Sequence, residues 1–118
     1  MNKINLIILY DSYAHNLKLR TGFGFSCLTK VNNKFILFDT GSESGTLLYN
    51  MKELKIDPKK VSYVILSHNH FDHIGGLRGF LKANDNKTKV IQPTAFSKPT
   101  KANRSRIYHL LLDPAFSK

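Results

Sequence analysis

Ten consecutive residues, Ser67-His68-Asn69-His70-Phe71-Asp72-His73-Ile74-Gly75-Gly76, constrain this chain more than any other stretch. They gather three of its five histidines and an aspartate within six positions. Neutral imidazoles and carboxylates are the ligands that zinc, iron and manganese accept. Just upstream, Val61-Ser62-Tyr63-Val64-Ile65-Leu66 is a short apolar, β-branched run that predicts a buried strand. Just downstream, Leu77-Arg78-Gly79-Phe80-Leu81-Lys82 predicts a helix. The cluster therefore sits on a tight strand-to-helix loop, where several side chains converge and rigidity is inherited from the strand. His68 and His70 are two apart and project to one side of an extended segment, where they can share a metal. Asp72 and His73 follow where the loop turns and reach toward a second. Two divalent ions about 3.5–4 Å apart would activate a water and polarise a substrate oxygen. A solvated histidine-rich loop is the plain alternative, but three imidazoles and a carboxylate beside a Gly-Gly pair are too concentrated for it.

The rest of the chain reads in order. Its 118 residues predict one domain with a modest core. Ile4 to Tyr10 reads as a first strand, Asp11 to Arg20 as a polar loop carrying His15, and Thr21 to Val31 as a second strand. In that strand Phe23 and Phe25 alternate with Gly22 and Gly24. Asn32-Asn33 marks a hairpin turn into a strand at Phe35 to Asp39. Helical spacing of Leu47, Leu48, Met51 and Leu54 follows, and Ile56-Asp57-Pro58 closes that helix. Lys89 to Pro93 reads as a fifth strand, and residues 94–118 as a basic, weakly patterned tail containing His109.

The net charge of +10 is high for this length, and a basic surface attracts phosphorylated substrates or nucleic acid. No compact Arg-aromatic cluster supports nucleic acid, so a lysine-rich solvated surface is preferred. The lone Cys27 lies in a strand pattern, which predicts a buried apolar role, excludes an intramolecular disulfide and suits a reducing compartment. No run approaches the ~20 apolar residues of a membrane span, and a cytoplasmic protein is expected.

His68-Asn69-His70-Phe71-Asp72-His73 matches the H-x-H-x-D-H signature of the metallo-β-lactamase superfamily, and Phe35-Ile36-Leu37-Phe38-Asp39-Thr40-Gly41 upstream fits as well. Over roughly residues 3 to 93 the chain resembles the branch that includes 7,8-dihydropterin-6-methyl-4-(β-D-ribofuranosyl)-aminobenzene-5′-phosphate synthase. The resemblance implies an α/β fold: the N-terminal half of an αβ/βα sandwich, a mixed β-sheet with flanking helices, truncated at residue 118. It implies a metal-dependent hydrolase with two divalent ions, zinc first and iron or manganese as alternatives. The ligands would be His68, His70, Asp72 and His73, with Asp72 also catalytic and Asp39 bracing the metal loop through hydrogen bonds. The later histidine ligands of the family have no visible counterpart, and the sequence around His109 does not match them.

The partner expected is a small molecule, a phosphorylated one being compatible with the charge. A half sandwich also leaves one sheet face to water, so self-association or a separately supplied C-terminal half is expected. Alternatives are a catalytically inactive half-domain acting through association, and a basic nucleic-acid binder. A homodimeric aspartic protease, suggested by Asp39-Thr40-Gly41-Ser42, is a further rival, but it needs an all-β chain and leaves the histidines unexplained.

Overall fold

The computed structural model describes residues 4–13 and 16–93. Strands β1 (Ile4–Tyr10), β2 (Ser26–Val31), β3 (Lys34–Phe38), β4 (Val61–Ile65) and β5 (Lys89–Ile91) form one sheet in sequential order. β1, β2 and β3 pair antiparallel, whereas β4 and β5 add in parallel. The change of direction follows from the connections. Asn32 and Asn33 take φ of +50° and +65°, the left-handed pair that a two-residue hairpin demands and that asparagine tolerates. Parallel neighbours instead require a crossover. That between β3 and β4 is helix α1 (Ser44–Glu53); that between β4 and β5 contains α2 (Phe71–Ile74) and α3 (Leu77–Ala83).

Both longer helices end alike. In α1, Ile56 N–H donates to Met51 O and Lys55 N–H to Lys52 O, with Lys55 at φ +59°. In α3, Asn86 N–H donates to Leu81 O and Asp85 N–H to Lys82 O, with Asp85 at φ +57°. These are Schellman closures, in which the last carbonyls of the helix are satisfied and the chain reverses within two residues.

Register divides the sheet into two unequal faces. Ile7, Leu28, Leu37, Val64 and Val90 align across all five strands. They pack with Leu47 and Met51 of α1 and with Leu77, Phe80 and Leu81 of α3 in the core. The opposite row is Ile8, Cys27, Phe38, Ile65 and Ile91. Ile4, Leu6 and Ile8 are 68%, 63% and 46% exposed, and Ile91 is 50% exposed, so no layer covers this face among the described residues.

Thr21–Phe25 is not strand, contrary to the sequence expectation. Gly24 adopts φ +124°, which β structure cannot accommodate, and the pairing begins only at Ser26. The fifth strand is also shorter than expected, ending at Ile91. Cys27 is buried, and burial pushes its thiol pKa up, as suits an apolar filler. α1 and α3 rule out the all-β protease alternative. His15, His109 and the tail at 94–118 lie outside the described residues.

Candidate metal centre

The histidine loop leaves the C-terminal end of β4, beside the end of β3, where Asp39 sits. Asp39 has φ +60°, an uncommon conformation for a non-glycine residue, and its N–H donates to Ile65 O at 2.9 Å. This local turn points a fully buried carboxylate toward the loop. Three donors satisfy it. Ser67 N–H reaches Oδ1 at 2.8 Å, while Ser67 Oγ and His73 Nδ1 reach Oδ2 at 2.6 and 2.7 Å.

This network fixes both imidazole tautomers, because an ionised carboxylate only accepts. His73 must donate from Nδ1, leaving a lone pair on Nε2. The Ser67 hydroxyl must spend its proton on Asp39, so the contact at 2.7 Å between Ser67 Oγ and His68 Nδ1 has the imidazole as donor. His68 Nε2 is then also a bare lone pair. Burial depresses the His68 pKa, and the neighbouring imidazoles His73 and His70 depress it further; Asp39 and Asp72 oppose them.

The rings converge. His68 lies 4.1 Å from His73 and 4.6 Å from His70, centroid to centroid. Ligand-type atoms of Asp39, His68 and His73 all fall within 4.8 Å of one another. His73 Nε2 stands 3.5 Å from Asp72 Oδ2. When His73 is neutral its Nε2 lone pair faces the Asp72 carboxylate, and a cation between them, a proton or a metal ion, satisfies both. Two ligands each about 2.1 Å from a tetrahedral cation lie roughly 3.4 Å apart, so the pair fits a divalent ion. Asp39 fits that role less well, since three N–H and O–H groups already occupy its oxygens. His70 is exposed and joins the cluster through its ring contact with His68.

Sequence reasoning passed over three supports. Ser67 transmits the Asp39 charge to His68. Thr40 clamps the one-turn helix α2: its N–H and its Oγ1 donate to His73 O at 2.8 and 2.9 Å, and Oγ1 accepts from Gly76 N–H at 3.0 Å. The strap at residues 22–25 presses on the loop from outside. A Cβ on Gly24 would run into the Asp72 carbonyl, which Phe25 N–H contacts at 3.3 Å, and Phe23 stacks on Phe71 at 6.0 Å. A polar residue directly before the first histidine and a threonine directly after Asp39 were the available signals.

The family model of the metallo-beta-lactamase superfamily matches residues 19–114, and the chain belongs to that superfamily. It is 42% identical over 87 residues to the 7,8-dihydropterin-6-methyl-4-(beta-D-ribofuranosyl)-aminobenzene-5'-phosphate synthase of Methanocaldococcus jannaschii, covering 70% of this chain and 30% of the relative. It is 30% identical over 79 residues to N-acyl homoserine lactonase AiiB of Rhizobium rhizogenes, covering 67% and 27%. The chain thus spans under a third of the length of these curated relatives. Among solved structures it resembles MEM-A1, a subclass B3 metallo-β-lactamase from a soil metagenome. There the TM-score is 0.56 at 22% identity, over 65% of this chain and 31% of the other. It likewise resembles a flavo di-iron protein variant of Thermotoga maritima, with a TM-score of 0.55 at 22% identity over 62% and 19%. At these identities the likeness concerns the fold, and the mixed sheet with flanking helices is the part of the superfamily domain expected from sequence.

Proposed function

We propose that this chain carries one half of the metal site of a metal-dependent hydrolase, acting on a small molecule. His68, His70, Asp72 and His73 are the metal ligands, and Asp39 holds the loop rather than the ion. The observation that carries this reading is the Asp39–Ser67 network, which presents the Nε2 lone pairs of His68 and His73 toward one region beside Asp72. Divalent metal bound there would supply Lewis acidity and a water of lowered pKa. Zinc is the first choice for this nitrogen-rich set, with iron and manganese as alternatives, and two ions per completed site are part of the proposal.

The protein's own groups do the rest. Asp39 makes both imidazoles better donors by accepting from the Nδ1 side, directly or through Ser67. Asp72, on α2, contributes the carboxylate nearest His73 and is proposed as the catalytic carboxylate. A phosphorylated substrate is supported by the phosphate in the name of the 42%-identical synthase and by the charge of +10. A cytoplasmic setting belongs to the same proposal; no helix among the described residues is long and apolar enough to cross a membrane.

Zinc titration of the full chain by calorimetry tests the reading. Binding that is lost in both His68→Ala and His73→Ala supports it, and binding indifferent to both substitutions overturns it.

A second reading is favoured by the open sheet face: an inactive half-domain acting through association, with a second copy or a separate C-terminal half as partner. It expects no metal-dependent turnover of phosphoester or lactam test compounds. A rate abolished by chelator would remove it.

A further inference from the structure

The end of the sheet opposite the histidines carries a second, chemically distinct feature. Lys34 opens β3, Lys89 opens β5, and Lys59 and Lys60 end the 3-10 turn Pro58–Lys60 that leads into β4. With Lys87 and Tyr63 they line one cavity of about 320 Å³. Three strands that run parallel begin at this end, which is why lysines from three separate connections meet there. From Tyr63, which lines the cavity, the chain runs four residues to Ser67, roughly 13 Å at about 3.3 Å per residue, so the cavity and the histidine loop are separate places on the fold.

The charge balance is one-sided. Among the described residues, the ion pair recorded for these five lysines is Lys59 with Asp85, at 3.5 Å. Lys34, Lys60, Lys87 and Lys89 are exposed and face the cavity without a carboxylate partner among those residues. Holding four ammonium groups around one concavity costs mutual repulsion, which a bound anion removes. A single phosphate, with one to two charges, leaves most of it in place.

We propose that this cavity binds an anion carrying two or more adjacent phosphate groups, either free or as a stretch of phosphodiester strand. The lysine ammoniums supply the charge and the Tyr63 hydroxyl a directed hydrogen bond. The site is independent of the metal centre and of the reaction proposed there.

Isothermal titration of the full 118-residue chain at low salt, with tripolyphosphate, orthophosphate and a short single-stranded RNA, tests it. Tripolyphosphate is expected to bind at one site, at least about tenfold more tightly than orthophosphate, and to weaken steeply with added salt. The triple variant K34Q/K60Q/K89Q should lose about tenfold or more of that affinity. A control that removes the same charge elsewhere, K18Q/K52Q/K82Q, should lose less than about threefold. RNA binding with the same variant pattern assigns the site to a strand; its absence, with tripolyphosphate retained, assigns it to a free polyphosphate. Equal affinity for orthophosphate, equal losses in the two triple variants, or no binding of tripolyphosphate and RNA would each overturn the proposal.

Discussion

Asp39 does at one residue what the histidine loop cannot do for itself. Its carboxylate is buried, takes three hydrogen bonds, and sets the donor side of two imidazoles, one of them through a hydroxyl. Asp39→Asn keeps the shape but puts an amide N–H₂ against groups that themselves donate. Zinc affinity should fall by about 10–100-fold, read by competition with a chromophoric chelator. Stability should fall by about 1–3 kcal/mol, read by urea unfolding, because buried donors lose their acceptor. The depressed pKa of His68 carries its own sign. The unfolded imidazole takes up a proton at about pH 6.5, before the folded one does. This group therefore contributes nothing against stability above that pH. It lowers stability as pH falls below it, until the folded imidazole protonates as well. Metal affinity follows the same direction, since a protonated imidazole cannot ligate. Zinc titrations should weaken progressively from pH 7 to pH 5.

At the scale of elements, two connections fix the site and each exposes a test. Lys55 closes α1 in the left-handed region, where a side chain is strained. Lys55→Gly should stabilise the fold by up to about 1 kcal/mol, read as a raised midpoint of thermal unfolding, with metal binding unchanged. Asn50, buried inside α1, donates to Leu9 O and Arg20 O and accepts from Arg20 N–H, pinning the loop after β1 to the helix. Asn50→Leu should cost about 2–3 kcal/mol by leaving buried backbone groups unpaired. Elements with strong periodicity were legible from sequence: β1 and α3 fall on the residues expected, and the strand before the histidines ends one residue early. The misreadings are local. Alternating Gly and Phe at 22–25 mimics a strand, but Gly24 takes a left-handed conformation so that the strap can lie against Asp72. The turn α2 was hidden because four residues are too few to show a period. Spacing alone pairs His68 with His70, and their rings do meet at 4.6 Å, but the ligand-type atoms that gather within 4.8 Å are those of His68, His73 and Asp39. The part played by Ser67 was not legible, because a hydroxyl relay depends on a contact across 28 positions that only the fold creates.

For the molecule as a whole, the asymmetry of the sheet dominates. One face is closed by α1 and α3, and the other presents Ile4, Leu6, Ile8 and Ile91 to water. A contiguous apolar face of this kind drives association. The Leu6→Thr/Ile8→Thr double variant should lower binding of a hydrophobic dye and shift sedimentation toward monomer, while costing less than about 1 kcal/mol because neither side chain is packed in the core. Unchanged dye binding would mean that the face is already covered. The lysines at the far end of the sheet place part of the charge of +10 away from the metal centre.

Metal binding at this loop requires His68 and His73 to offer Nε2, not Nδ1. A long-range proton–nitrogen NMR correlation of the imidazoles, recorded before and after zinc, reads this directly. The expected result is Nδ1–H tautomers for both residues in the metal-free chain, with the Nε2 resonances alone shifting on zinc addition. Nε2–H tautomers, or Nε2 resonances unmoved by zinc, would contradict it.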